Sequence, residues 1–198
     1  MVASSWRRPA SFLVLAVLAA GLGLSDPATA ESILHRGNGA EPETLDVHKS
    51  SGVPEADIQR DLFEGLVAEA ADGAFVPGAA ASWTISDDGR RYVFKLRPDG
   101  RWSNGDPVTA GDFVYAFRRG VDPKVGSDYA FILWPIAEAE KITKGTNADL
   151  TSMGVRALDD LTLEVSLRAP TPYFLGLLTH HQAYPVHRAS LAAHGTKW

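Results

Sequence analysis

The histidines are the first candidates for chemistry, because the chain has six of them and no cysteine. His180 and His181 are adjacent, so in a regular element their side chains point in different directions. His187 and His194 stand seven residues apart, and the sequence has no HExxH motif, which would set two histidines on one helix face. The spacing therefore predicts no metal site, and we expect these histidines to lie in loops or on the surface.

Paired carboxylates and serine nucleophiles give no stronger signal. Asp87-Asp88 and Asp159-Asp160 are adjacent pairs between strand-like runs, where aspartate favours turns because its side chain bonds the backbone two residues on. General acid–base catalysis instead needs two carboxylates that face one cleft. The sequence also has no GxSxG, SxxK, GxxxxGK[ST] or GxGxxG motif. It therefore predicts no catalytic residue and no cofactor, and an exported hydrolase is kept only as an alternative hypothesis.

Tyr129 differs from most of the aromatic residues, which fall in periodic elements that would form a core. It follows Gly126-Ser127-Asp128 in a loop-like stretch, shortly after the chain break at Asp122-Pro123. A tyrosine in such a loop either fills a gap in the packing or lines a binding cleft. The residues alone leave both roles open.

The composition excludes several classes of protein. The chain has 198 residues, of which 45% are hydrophobic and 22% charged, and this balance is typical of a globular protein. Its net charge of -5 disfavours a nucleic-acid partner, since binding phosphates usually needs a basic surface. The absence of cysteine excludes disulfides, thiolate metal sites and lipid attachment through a cysteine.

Residues 1–30 have the three parts of a secretory signal peptide. Arg7 and Arg8 supply positive charge, residues 12–24 form an uncharged apolar run, and Ala28-Thr29-Ala30 is a cleavage site. The run is shorter than the roughly 20 residues of a membrane-spanning helix. We therefore expect a mature chain that begins near Glu31 and is exported, without a lipid anchor, to the periplasm.

The rest of the chain predicts mixed helices and strands. Pro54 can open a helix that ends near Gly65, and Thr109 and Asp112 form a capping box that opens a second helix, which Gly120 ends. The predicted strands are residues 32–36, 83–86, 91–97 and 161–167, and further helices are predicted at residues 138–144, 173–178 and 188–194. Hairpins outnumber βαβ units, which indicates an α/β protein of the mixed α+β kind with an antiparallel sheet.

One long stretch of the sequence is recognisable, SWTISDDGRRYVFKLRPDGRWSNGDPVTAGDFVYAFR at residues 82–118. It closely resembles the signature region of the periplasmic oligopeptide-binding proteins, which are the family 5 extracellular solute-binding components of peptide ABC importers. The similarity continues in order through VPEADIQRDLFEGL at residues 53–66, ALDDLTLEVSL at residues 157–167 and PTPYF at residues 170–174. It covers nearly all of the chain after residue 30.

The resemblance implies a two-lobed periplasmic binding protein that closes on an extended peptide. Such a protein captures its ligand mainly through main-chain hydrogen bonds, as in strand addition, and the closed form is what the transporter recognises. The implied partners are short peptides and the membrane permease subunits of an ABC transporter. The protein would act as a monomer, without a cofactor, a metal or a nucleic acid.

The resemblance also implies the substrate-binding residues. Ser51, Gly52 and Val53 would line the cleft and offer backbone groups to the peptide, and Tyr129 matches a cleft tyrosine. Close relatives carry a glutamate at the position of Ser51, so no acidic side-chain contact is expected there. On local grounds alone, Gly52-Val53-Pro54 is a lead-in to a helix.

By the same similarity, residues 31–63 form the first segment of a main lobe, residues 64–188 form a small accessory domain, and residues 189–198 start the return to the main lobe. Family members continue for several hundred residues past this point, so the chain looks like an N-terminal portion. We expect the complete protein to bind peptides at micromolar or lower concentration and this chain alone to bind weakly or not at all. Within the binding class, nickel, haem or a murein peptide stays open as the ligand.

Overall fold

The computed structural model describes residues 33–195, so the predicted signal peptide lies outside the described residues. One compact unit begins at Asn38 and includes the described residues that follow it. Its helices are α1 (Val53–Leu62), α2 (Ala110–Val121), α3 (Ala139–Thr143), α4 (Phe174–Leu177) and α5 (Arg188–His194). Its strands are β1 (Val67–Glu69), β2 (Phe75–Pro77), β3 (Ala80–Ile85), β4 (Arg91–Leu96), β5 (Val155–Asp159) and β6 (Thr162–Ser166). Short 3₁₀ turns lie at Ala130–Leu133, Leu150–Ser152 and His181–Ala183.

The main sheet is antiparallel throughout, with the strand order β3-β4-β6-β5, and β1 and β2 form a separate hairpin. Along β4, Tyr92, Phe94 and Leu96 are buried while the residues between them are more exposed, as a period of two requires. In β6, Leu163 and Val165 are buried in the same core. The predicted mixed α+β fold with an antiparallel sheet is therefore confirmed.

Helix α2 packs against β5 and β6 and covers one face of the sheet. Its start is fixed by the predicted capping box: the Asp112 carboxylate accepts hydrogen bonds from the backbone N–H of Thr109 at 2.8 Å and from its hydroxyl at 3.0 Å. Phe113 and Phe117 are fully buried on its inner face. The helix extends one residue past the predicted end at Gly120.

Helix α1 forms where it is predicted but buries a polar face. Glu55 and Gln59 are buried, whereas Leu62 is 62% exposed. Residues 43–50 pass over the helix, and their backbone groups need partners: the Gln59 amide donates to the Leu45 carbonyl at 3.2 Å, and Glu55 accepts from the Glu43 N–H at 2.9 Å. The helix ends at Leu62, three residues before the predicted end.

The strand predicted at residues 32–36 is wrong for its described part. Residues 33–36 form no strand and their side chains are exposed, since no described strand pairs with them. Strands β1, β2 and β5 were not predicted, because each is short or lacks clear alternation. Across residues 33–195, no helix combines the length and the apolar character that crossing a membrane requires.

Candidate functional site

Residues 51–53 lead into α1 and form one wall of a pocket of about 160 Å³. The pocket is lined by Ser51, Gly52, Val53, Ala56, Arg60, Tyr129, Thr179, His180 and His181. The Tyr129 hydroxyl reaches across it and donates a long hydrogen bond of 3.4 Å to the Ser51 carbonyl. All four residues implied by the family resemblance therefore meet at this pocket, although Tyr129 is far from the other three in sequence.

Gly52 lies directly over a carboxylate. A Cβ atom at this position would overlap Oε2 of Glu55. The other oxygen, Oε1, accepts the Glu43 N–H, and this backbone hydrogen bond is the main reason that the pKa of Glu55 lies below its usual value. The backbone of Gly52 is extended, at φ -96° and ψ 162°, so the loop presents peptide groups to the pocket rather than a side chain.

Two adjacent histidines with tilted rings form another part of the pocket lining. The rings of His180 and His181 lie 4.1 Å apart between centroids. His181 Nδ1 lies 2.9 Å from the Val47 carbonyl, to which it donates, and His180 Nδ1 accepts the Gln182 N–H at 3.1 Å. Burial lowers the pKa of His180 to about 4 and also lowers that of His181, so both rings are neutral at pH 7.

The burial of His181 corrects one expectation from the sequence. It is only 6% exposed, not a loop or surface histidine, because it packs beneath the segment that contains Val47. His48 is buried as well. Within residues 33–195, no group of three or more histidine, aspartate or glutamate side chains is arranged to hold a metal ion.

Tyr129 combines ring packing with a position in the pocket wall. Its ring packs 4.8 Å from that of His180 and 5.5 Å from that of His181, and it also lines the pocket. Gln182 fixes the surrounding loop: its side chain donates to the Gly120 carbonyl at 2.9 Å and accepts from the Ser127 hydroxyl at 2.8 Å. The tyrosine is thereby positioned relative to α2.

Arg60 is a pocket residue that the sequence analysis missed. It stands in the last turn of α1 and forms an ion pair with Asp57 on the exposed side of the helix. Val53, Ala56 and Arg60 follow an i, i+3, i+7 spacing, which places them on one helix face. That spacing is the signal that could have identified Arg60 once Val53 was assigned to the cleft.

A second and larger cavity, of about 550 Å³, lies next to α5 and contains Trp102, His187 and Ser190 in its wall. Ser190 Oγ lies 2.7 Å from His187 Nδ1, and His187 Nε2 lies 3.0 Å from an Asp106 carboxylate oxygen. The sequence analysis found no such serine–histidine contact. The same histidine precedes α5 and accepts the Ser190 N–H at 3.3 Å, which is the geometry of a helix cap.

Comparison with known proteins gives consistent matches. The family model described as "Bacterial extracellular solute-binding proteins, family 5 Middle" matches residues 74–198. The chain is 46% identical over 181 residues to the periplasmic oligopeptide-binding protein OppA of Escherichia coli K12, which covers 90% of this chain and 32% of that protein. It is 41% identical over 182 residues to the probable deoxycholate-binding periplasmic protein YgiS of the same strain, which covers 91% and 34%.

A solved structure shows the same fold. The crystal structure of Haemophilus influenzae OppA in complex with RPPGFSPFR has a TM-score of 0.78 and 42% identity to this chain, and the match covers 81% of this chain and 32% of that one. The fold is thus that of the periplasmic binding proteins over most of the chain. The chain spans about a third of the length of the relatives that it matches.

Proposed function

The chain belongs to family 5 of the bacterial extracellular solute-binding proteins, and we propose that it is part of a receptor that captures short peptides in the periplasm for an ABC importer. The observation that carries this proposal is the convergence of Ser51, Gly52, Val53 and Tyr129 on one pocket. The resemblance implied these residues from two distant parts of the sequence, residues 51–53 and Tyr129. Similarity to OppA supports peptides as the ligand class.

The ligand is held mainly through its backbone. The extended loop at Gly52 offers peptide groups in the conformation that a strand-like ligand can pair with. The Ser51 carbonyl accepts a long hydrogen bond of 3.4 Å from the Tyr129 hydroxyl, and a ligand N–H can replace that contact at low cost. Recognition of this kind reads the peptide main chain and tolerates varied side chains.

The proposal extends to the export signal and the domain division that the family resemblance implied. Residues 1–30 direct export, residues 31–63 and 189–198 belong to a main lobe, and residues 64–188 form an accessory domain. The receptor acts as a monomer that delivers its peptide to the permease subunits of the transporter. Similarity to periplasmic OppA supports the location, and the membership in a family of binding proteins supports a role without catalysis.

Binding of peptides by the chain without its signal peptide tests the proposal. We expect di- to tetrapeptides to shift the amide NMR signals of residues 51–53 and 129 in a saturable way. Because the chain spans about a third of its relatives, the expected dissociation constant is on the order of millimolar. Deoxycholate, nickel(II), haem and a murein tripeptide serve as competing ligands. Saturation by one of these at lower concentration than any linear peptide would contradict the proposal, and so would failure of the complete receptor to bind any peptide offered.

A hydrolase is the second candidate, because one observation favours it. Ser190, His187 and Asp106 have the contacts of a nucleophile, a base and an orienting carboxylate beside a cavity. The capping geometry explains the same contacts without catalysis. Peptide and ester turnover by the chain, compared with that of Ser190→Ala, separates the two: turnover lost in this variant would establish the hydrolase, and equal background rates would exclude this serine as a nucleophile.

A further inference from the structure

The described side chains that line the pocket at Ser51 and Tyr129 carry a positive charge and no negative charge. None of the side chains that line it, within the described part of the chain, is a carboxylate. Arg60 is the lining residue with a permanent charge, since a guanidinium stays protonated in proteins. The two lining histidines are neutral, so they add hydrogen-bonding groups without repelling a ligand of either sign.

Hydrogen-bond donors dominate this pocket. His180 Nδ1 accepts the Gln182 N–H, so the neutral ring carries its proton on Nε2 and can donate there. The Arg60 guanidinium is a further donor, and the Tyr129 hydroxyl becomes one when a ligand replaces its long bond to the Ser51 carbonyl. His181 donates through Nδ1 to Val47, which makes its Nε2 the one imidazole acceptor at the pocket. A ligand group that only accepts hydrogen bonds matches this set.

The carboxylates nearby leave Arg60 available. Glu55 does not line the pocket: it is buried beneath Gly52, where Oε1 accepts the Glu43 N–H and Oε2 has no hydrogen-bond partner among the described residues. Within residues 33–195, Asp57 is the carboxylate bonded to Arg60, and that pair is exposed, with the two side chains 57% and 28% accessible. An exposed pair of this kind contributes little to stability, so Arg60 can turn toward a ligand at small cost.

The pocket is the size of a side chain rather than of a whole ligand. Its volume of about 160 Å³ is below the roughly 300–1,000 Å³ of pockets that enclose a small molecule. A bound peptide whose backbone pairs with residues 51–53 would therefore insert one side chain here.

We propose that this pocket selects peptides with an acidic side chain, aspartate or glutamate, whose carboxylate is bound by Arg60 and by Nε2–H of His180. The inference rests on the proposed function, because it names the class of peptide that the same site prefers. The isosteric amide side chains of asparagine and glutamine lack the negative charge. Their NH₂ group is itself a donor and would face the donors that line the pocket. Charge-assisted hydrogen bonds and donor matching therefore both favour the carboxylate.

The test compares two tripeptides, Ala-Glu-Ala and Ala-Gln-Ala, by NMR titration of the chain without its signal peptide. They differ only in one carboxylate, so their affinity ratio isolates it. We expect the glutamate peptide to bind about fivefold more tightly, as for one favourable ion pair near the surface. Arg60→Gln should reduce the ratio to near one, and Arg60→Lys should keep part of it. Arg90→Gln, at an exposed arginine outside the pocket, is the matched control and should leave the ratio unchanged.

The outcomes are distinguishable. Equal affinity for both peptides, or a ratio that survives Arg60→Gln, would overturn the acidic preference and leave peptide binding intact. Failure of the complete receptor to bind either peptide would overturn the proposed function, and the preference with it. Shifts of the His180 ring signals that are larger with the glutamate peptide would support direct contact at Nε2.

Discussion

Arg119 holds Asp46 in a two-point ion pair, with Nη1 at 2.7 Å from Oδ1 and Nη2 at 2.6 Å from Oδ2. Both side chains are largely buried, at 11% and 3% exposure. Nη1 also lies 2.7 Å from Nδ1 of the buried His48. The ion pair connects residues 46–48, which precede the pocket residues 51–53, to α2. The position of residues 51–53 therefore depends on the charge of Arg119 in that helix.

Asp46→Asn should destabilise the chain by about 3 kcal/mol, because it leaves the Arg119 guanidinium buried without a counter-charge. The free energy of unfolding in urea measures the loss. Asp57→Asn is the control, since it removes an aspartate from an exposed arginine pair and should change stability by less than about 1 kcal/mol. Similar losses of unfolding free energy for the two variants would show that the buried ion pair contributes no more to stability than the exposed one.

Acid should destabilise the fold through its buried histidines. Burial, aided by the Arg119 charge, lowers the pKa of His48 from 6.5 to about 3. The unfolded chain therefore takes up a proton below about pH 6.5 while the folded chain does not, so stability present at neutral pH is lost as the pH falls from about 6.5 toward 3. The pKa values of His180 and His181 are lowered too, which adds a loss of the same sign.

Replacing His48 by Asn measures its share of this effect, because the amide oxygen can still accept from Arg119 but does not titrate. Below about pH 6 the wild-type free energy of unfolding should fall more steeply than that of the variant, by about 1.4 kcal/mol per pH unit. Urea unfolding at several pH values gives both slopes. Parallel slopes would mean that His48 is protonated in the folded chain.

The Tyr129 ring, more than its hydroxyl, should matter for peptide binding. The ring packs on His180 and His181 and forms a pocket wall, whereas the hydroxyl makes one long hydrogen bond to Ser51. Tyr129→Ala should weaken peptide binding about tenfold, and Tyr129→Phe by no more than about threefold, as expected for the loss of one net hydrogen bond. NMR titration measures both. A larger loss in the Phe variant would assign the main role to the hydroxyl.

Local signals explain which elements could be predicted from the sequence. The capping box at Thr109 and Asp112 and the alternation along β4 involve residues a few positions apart, so they are visible without tertiary structure. The polar buried face of α1 is not visible in this way, because Gln59 is buried by contacts with Leu45 and Ser50, which lie outside the helix. The apolar spacing of the helix therefore does not reveal which face is buried.

In the candidate site, too, local sequence signals fail where tertiary contacts decide. Family resemblance, not periodicity, pointed to Ser51, Gly52, Val53 and Tyr129, and their role in binding stays a prediction. The burial of His181 depends on a hydrogen bond to Val47, 134 positions away. The contact between His187 and Asp106 likewise joins distant segments. Motif searches test spacing along the chain, so they cannot find side chains that only the fold brings together.

Gly120 permits the close approach of α2 to the loop that supports Tyr129. A Cβ atom there would lie 2.7 Å from Nε2 of Gln182 and 3.1 Å from a ring carbon of His48, and Gln182 cannot retreat without losing its bond to the Gly120 carbonyl. Gly120→Ala should therefore cost about 1–3 kcal/mol of stability by overpacking, although alanine is the better helix former by about 1 kcal/mol. Gly111→Ala in the same helix is the matched control: its Cβ would meet only the Thr109 hydroxyl, at 3.4 Å, so the variant should be neutral or more stable. Stabilisation by both alanines in urea unfolding would show that helix propensity outweighs the crowding at Gly120.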